Sequence, residues 1–318
     1  MKVPVLADIQ AAHQRIKPYI HRTPVMSSRL INTMFGSEIY FKCENFQKVG
    51  AFKFRGATNA VLQLPEKAKE RGVITHSSGN HGAAVTLAAA SVGVKAYIVM
   101  PVTAPEVKKN AVSGYGAEIT FCKPTLESRE KTTAQIIKKT GAVLIHSYDD
   151  FNVICGQGTA ALELLEDYPD IEIIIAPVGG GGLMSGTVTA AKGLSPGITV
   201  YGAEPLNAND AYKSFISGKL VPSVDPRTIA DGLLTSLSER TFSIISRNVD
   251  NIFTVSEESI IESMLLVWER MKIIIEPSSA TTLAVIKENP DIFRGRKTGL
   301  IITGGNVDLK RLPFNKVS

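Results

Sequence analysis

One lysine in this chain sits where it could act as a nucleophile. It lies in Gly50-Ala51-Phe52-Lys53-Phe54-Arg55-Gly56, between two aromatics and two glycines, just before an expected helix. An amine reacts near neutral pH only where its charged form is destabilised, and the apolar neighbours Phe52 and Phe54 could do that. On that chemistry Lys53 reads as a Schiff-base lysine; the alternative is a surface lysine near a helix start, since lysines are rarely buried. Gly179-Gly180-Gly181-Gly182 joins strand to helix, so its backbone N–H groups can approach an anion closely while the helix start adds partial positive charge. No Gly-Lys-Ser/Thr follows, and a dinucleotide fingerprint would put Met184 or Ser185 where its last glycine belongs. With no acidic ribose partner, the run suits a compact monophosphate, or else a tight turn with close helix packing. Ser77-Ser78-Gly79-Asn80-His81 offers N–H groups and two hydroxyls to a carboxylate, although N-capping by Ser78 or Asn80 would use the same residues. Glu204, Asn207, Asn209 and Asp210 form an oxygen-rich cluster that suits a hard cation or simply a solvated loop. His13, His21, His76 and His146 show no metal-ligand spacing.

The elements that must position these residues follow from periodicity. Residues 8–19 have helical spacing with Asp8 as a plausible cap, and Arg22-Thr23-Pro24-Val25 stops that helix because Pro24 cannot continue it. A strand over 38–43 leads into the Lys53 segment. Strands are then expected at 73–77, 96–100, 117–121, 142–145, 171–177, 199–203 and 299–302. Helices are expected at 105–114, 126–140, 156–167, 183–193, from Ser256 onward and at 278–287, and residues 79–93 are rich in small apolar side chains. This alternation predicts parallel sheets covered by helices on both faces. Ligands in such sheets sit beyond the carboxyl ends of strands. Three loops follow apolar strands in that way: residues 77–81, residues 179–182, and Thr303-Gly304-Gly305-Asn306. They could converge on one ligand between two domains.

The chain of 318 residues is long enough for two domains. Its 35 Lys and Arg against 30 Asp and Glu give a net charge of +5, scattered without a cationic run, so nucleic acid is not suggested. Three cysteines, Cys43, Cys122 and Cys155, are odd in number and lack metal spacing; they read as reduced thiols and favour a cytoplasmic location. The first residues mix Asp8, Arg15 and Lys17 into the apolar pattern, which does not fit a signal-peptide core. No stretch approaches the roughly 20 apolar residues of a membrane span.

Taken together and in order, these pieces resemble the fold type II pyridoxal-phosphate enzymes, most closely the serine racemase and serine/threonine dehydratase family. The matching stretches are GAFKFRG, SSGNH, GQGT at 156–159, PVGGGGL, AEPLNAND, IADG at 229–232, VWERMK at 267–272 and TGGNVDL, and they span nearly the whole chain. The resemblance implies a tryptophan synthase β-like α/β fold: two open, twisted, mostly parallel sheets flanked by helices, with the active site between the domains. Residues 1–68 and 150–318 would form a large cofactor-binding domain and 69–149 a small mobile one.

By the same resemblance, Lys53 carries the cofactor as a Schiff base, Gly179, Gly180, Gly181 and Gly182 hold its phosphate, Asn80 its phenolic oxygen, and Thr303 faces its pyridine nitrogen. A neutral hydroxyl there implies a moderated electron sink. Ser77, Ser78, Asn80 and His81 receive the substrate carboxylate, and Ser78 is also the acid/base on the face opposite Lys53. Arg129 is associated with closure over substrate. Glu204, the Ala208 carbonyl and Asp210 match a site for Mg2+ (or Ca2+ or Mn2+) that many plain threonine dehydratases lack. Lys48, Tyr115, Lys272 and Asn306 match a nucleotide site where ATP is an effector at a homodimer interface; Val49 and Ala83 depart from its threonine and glutamine. Ala51 and Ser279 depart from the pattern around the substrate. The implied activity is interconversion of L- and D-serine with β-elimination to pyruvate and ammonia. A threonine/serine or 3-hydroxyaspartate ammonia-lyase is the first alternative, and a non-catalytic cofactor or amino-acid binding protein the second.

Overall fold

The computed structural model describes residues 1–77, 79–104 and 106–316. Among these residues ten strands build two sheets. Val25–Met26 (β1), Glu38–Cys43 (β2), Ile173–Pro177 (β7), Thr199–Pro205 (β8), Asn251–Val255 (β9) and Lys297–Ile302 (β10) form a six-stranded sheet of order β1-β2-β10-β7-β8-β9. Val73–His76 (β3), Ala96–Pro101 (β4), Glu118–Cys122 (β5) and Val143–Leu144 (β6) form a four-stranded sheet of order β5-β4-β3-β6. Among the described strands only β1 runs antiparallel, pairing Val25 with Lys42 and Met26 with Phe41.

Successive side chains of a strand point to opposite faces, so a strand buried on both sides must be apolar throughout. Along β7, Ile173 and Ile175 pack with Ile39, Phe41, Leu300 and Ile302 against the helices Glu257–Met271 and Pro277–Glu288. Ile174 and Ala176 pack on the other face with Val200, Ile252 and Ile301, against the helices Phe151–Asp167, Gly182–Leu194 and Glu239–Asn248. The four-stranded sheet is covered likewise. Val73, Ile98 and Met100 meet the helices Lys53–Leu62 and Asn80–Ala90, while Ile74, Tyr97 and Val99 meet the helix Leu126–Thr140.

Two expected boundaries move for identifiable reasons. The first helix is Leu6–Ile16 with Val5 as its N-cap. Asp8 is therefore not the cap but a residue of the first turn, whose carboxylate accepts the Val5 N–H at 3.0 Å. The helix expected from 156 begins at Phe151, where Asp150 accepts the Val153 N–H at 2.9 Å. Gly156 lies inside it, and the position needs glycine because a Cβ there would come within 2.6 Å of the Gly56 Cα on the helix Lys53–Leu62.

Candidate active site

All the expected ligand loops lie at carboxyl ends of parallel strands. The chain leaves β10 at Ile302, and the Thr303 carbonyl accepts the Phe52 N–H at 2.9 Å while Gly304 bridges to Ala51. That contact places Lys53, the first residue of its helix, at the mouth of the six-stranded sheet. Its Nζ lies 5.0 Å from the centroid of the Phe52 ring and donates to the Ser147 carbonyl at 3.0 Å. Burial lowers the Lys53 pKa to about 8, with the Glu276 carboxylate opposing part of the fall. Phe54 does not share this work, because its side chain points into the core of the four-stranded unit.

Asn80 joins two of the loops. Its Oδ1 accepts from Asn306 Nδ2 at 2.9 Å, and its Nδ2 donates to the two oxygens of Glu276 at 3.0 and 3.3 Å. Thr303 Oγ1 donates to Glu276 Oε1 at 3.3 Å and lies 2.9 Å from Ser279 Oγ, which also bonds the backbone of Gly304. Glu276 is thus a buried member of the site that sequence reading did not assign, because it looks like the ordinary cap of the helix Pro277–Glu288; Ser279, noted only as a departure around the substrate, lies beside it.

The glycine run is a cradle in which side chains have no room. Gly181 has φ +83°, and a Cβ on it would meet Leu237 and Thr241 at 2.7 and 2.8 Å. A Cβ on Gly180 would lie 2.2–2.5 Å from the Tyr148 ring. Thr241 Oγ1 donates to the Gly180 carbonyl at 2.9 Å, and the run ends in the helix Gly182–Leu194. Backbone N–H groups held this way at a helix start fit a phosphate.

Among the remaining residues, His81 is buried, with Nε2 3.0 Å from the Ile145 carbonyl; burial and the nearby Lys53 charge lower its pKa to about 3, so it stays neutral. Ser77 accepts the Gly79 N–H at 3.3 Å, and Ser78 lies outside the described residues. Arg129 is half-buried on the helix Leu126–Thr140, and its Nε is buried without a hydrogen-bond partner. Lys48 sits 5.6 Å from the Phe54 ring centroid; Asn306 also donates to the Val49 carbonyl at 2.8 Å. Tyr115 packs against the four-stranded unit, and Lys272 ends the helix Glu257–Met271 at φ 59°.

Glu204 is the penultimate residue of β8, and Asp210 begins the helix Asp210–Ser217 that follows it. The Glu204 carboxylate accepts the Ala211 and Tyr212 N–H groups at 2.9 and 2.8 Å, and burial raises its pKa to about 8. Both oxygens of Asp210 are buried without a hydrogen bond of acceptable geometry. The 3-10 turn Leu206–Ala208 lies beside them, on a cavity of about 340 Å³ that Asp210 also lines. Two desolvated carboxylates next to a turn suit a cation; among the described residues no cluster of three His, Cys, Asp or Glu side chains is gathered for one, so backbone and water would complete the shell.

Parallel sheets that present a neutralisable amine and a phosphate-sized cradle at their carboxyl ends can serve an enzyme that works through a phosphorylated aldehyde. The chain belongs to the family of pyridoxal-phosphate dependent enzymes, which residues 16–304 match. It is 53% identical to serine racemase of Dictyostelium discoideum, over 98% of each chain. It is 47% identical to β-hydroxyaspartate dehydratase of Paracoccus denitrificans, over 99% of this chain and all of that one. The structure of maize serine racemase superposes with a TM-score of 0.95 at 42% identity, covering 99% of this chain and 97% of that one.

Proposed function

We propose that this chain is a serine racemase that also eliminates water from serine to give pyruvate and ammonia. Lys53 holds the cofactor aldehyde, residues 179–182 its phosphate, Asn80 its phenolic oxygen and Thr303 its ring nitrogen. When bound, the cofactor supplies an electron sink that weakens the Cα–H bond of an attached amino acid. The remaining work falls to the chain. Lys53, with a pKa of about 8, takes the Cα proton at Nζ on one face. Ser78 returns a proton on the other, which inverts the centre. The loop of Ser77, Ser78, Asn80 and His81 holds the substrate carboxylate, and residues 69–149 close over it with Arg129.

The observation that favours a racemase over a plain dehydratase is the buried Glu204–Asp210 pair: the Asp210 oxygens lack a well-aligned hydrogen bond and, with Glu204 and the Ala208 carbonyl, fit a divalent cation. We infer Mg2+ as its occupant. We also infer a cytosolic location, in keeping with three free, buried cysteines, and, on the family resemblance alone, a homodimer. No helix among the described residues is long and apolar enough to cross a membrane. The nucleotide position keeps Lys48, Tyr115, Lys272 and Asn306 but has Val49 and Ala83 at two others, so activation by ATP is not expected.

A second reading is 3-hydroxyaspartate ammonia-lyase. The buried, unpartnered Arg129 Nε favours it, because a second substrate carboxylate would satisfy that donor. The test is incubation of cofactor-loaded protein with L-serine, with and without Mg2+, measuring D-serine by chiral chromatography and pyruvate in the same sample. D-serine that falls on chelation is the expected result. Pyruvate without D-serine, together with faster turnover of 3-hydroxyaspartate, would replace the racemase by the lyase.

A further inference from the structure

The crossing from β6 to the helix Phe151–Asp167 is residues 145–150, one of the two covalent links between the four-stranded unit and the rest of the chain. Two consecutive residues of it, Ser147 and Tyr148, touch the site, and His146 braces the second. His146 Nδ1 accepts the Asp149 N–H at 2.9 Å, and its ring meets Tyr148 edge-on at 4.6 Å between centroids. The Ser147 carbonyl takes the Lys53 amine at 3.0 Å. Tyr148 lies on the phosphate cradle, its ring against Gly180 and its backbone against Gly182.

We propose that the Ser147 carbonyl is the resting place of the free Lys53 amine, so that this crossing is a strap fastened only while Lys53 is not bonded to the cofactor. The chemistry of the lysine makes the contact conditional. When the neutral amine bonds an aldehyde carbon, the carbonyl oxygen leaves as water with both amine hydrogens, and the imine nitrogen then takes up one proton. The single N–H left would be committed to the cofactor and turned from the Ser147 carbonyl. The Ser147 carbonyl then loses its donor. When a substrate amine later takes the aldehyde carbon, Lys53 is freed and can donate to Ser147 again. The strap is therefore loose while substrate enters and fastened once substrate is attached, which draws the four-stranded unit onto the site at the step where water must be kept out.

The proposal rests on Lys53 being the Schiff-base lysine, and the test separates the two ideas. Hydrogen exchange of peptides covering 145–150 would be followed in the full chain loaded with pyridoxal phosphate, or with deoxypyridoxine phosphate, in which a methyl group replaces the aldehyde and Lys53 stays free. Exchange should be about tenfold slower with the deoxy analogue, the protection expected of one charge-assisted hydrogen bond. Lys53→Met with the same analogue should exchange as fast as the wild type carrying the aldehyde. Equal exchange of the wild type with the two ligands, or slower exchange with the aldehyde, would overturn the strap; this pair decides the matter even if Lys53→Met does not fold. The visible absorbance gained on adding pyridoxal phosphate reports the Schiff base separately. Its persistence in Lys53→Met would overturn the assignment of Lys53 instead.

Discussion

Lys53 and Arg55 stand two residues apart at the start of one helix, on opposite sides of it; Arg55 is fully buried and Lys53 largely so. Their surroundings differ in one respect. Arg55 is clasped by Glu44 through Nε and Nη2 at 2.7 and 2.8 Å and by Glu163 through Nη1 and Nη2 at 2.8 and 2.7 Å. Lys42, equally buried, adds a bond to Glu163 at 2.6 Å. Two cations and two anions cancel. Burial would lower the Arg55 pKa, but Glu44 and Glu163 outweigh it and raise it; burial would raise that of Glu163, but Arg55 and Lys42 bring it down to about 2. Lys53 has Glu276 alone as an opposing charge, and burial wins. Burial with matched counter-charges makes a brace, and burial without them makes a reactive amine.

The largest effects should come from exchanging these fates. Lys53→Ala should abolish turnover and the Schiff-base absorbance while changing unfolding free energy by no more than about 1–2 kcal/mol, since the hydrogen bond to Ser147 that it removes is offset by the cost of burying the amine. Turnover surviving in that variant would refute its role. Arg55→Met should do the reverse to stability. It leaves two buried carboxylates facing Lys42 alone, a loss of about 3–5 kcal/mol read from the denaturant midpoint. Acid adds a check on the brace. Because the folded pKa of Glu163 is depressed to about 2, its contribution is complete above its ordinary value of 4.5 and is lost as pH falls toward 2. Loss of stability at higher pH instead would assign acid sensitivity to other groups.

That contrast is only partly legible in the sequence. GAFKFRG singles out Lys53, yet the heptapeptide gives no sign that Arg55 is the more deeply buried residue, because its partners arrive from residues 44 and 163. Strand 38–43 and helix 126–140 fall where periodicity puts them, since local pattern and tertiary burial agree there. The helices Arg29–Phe35, Asp210–Ser217 and Glu239–Asn248 and the edge strand β9 go unread. Each is short and half-solvated, so its apolar pattern is incomplete. Phe54 misleads because alternation about a lysine suggests a shared pocket, whereas the helix turns it toward the other unit. Glu276 is missed for a related reason. Its contacts with Asn80 and Thr303 span 196 and 27 residues, and only folding makes them visible.

The smallest effect concerns that carboxylate and would sharpen the comparison most. Capture of pyridoxal phosphate requires the neutral amine, so its rate, followed by absorbance in a stopped-flow mixer, should rise with pH and level off above the Lys53 pKa of about 8. An ordinary lysine would not level until about 10.4. Glu276 raises the Lys53 pKa against the larger effect of burial. Glu276→Gln retains a side chain that can accept from Asn80 but removes the charge, so the midpoint should move down by a fraction of a unit. The sign is what matters. A downward shift would mean that Glu276 is a partial counter-charge, too weak to turn Lys53 into a second brace. An upward shift would mean that the substitution lets water reach the amine, and that burial at Lys53 depends on the bonds from Glu276 to Asn80 and Thr303 more than on its charge.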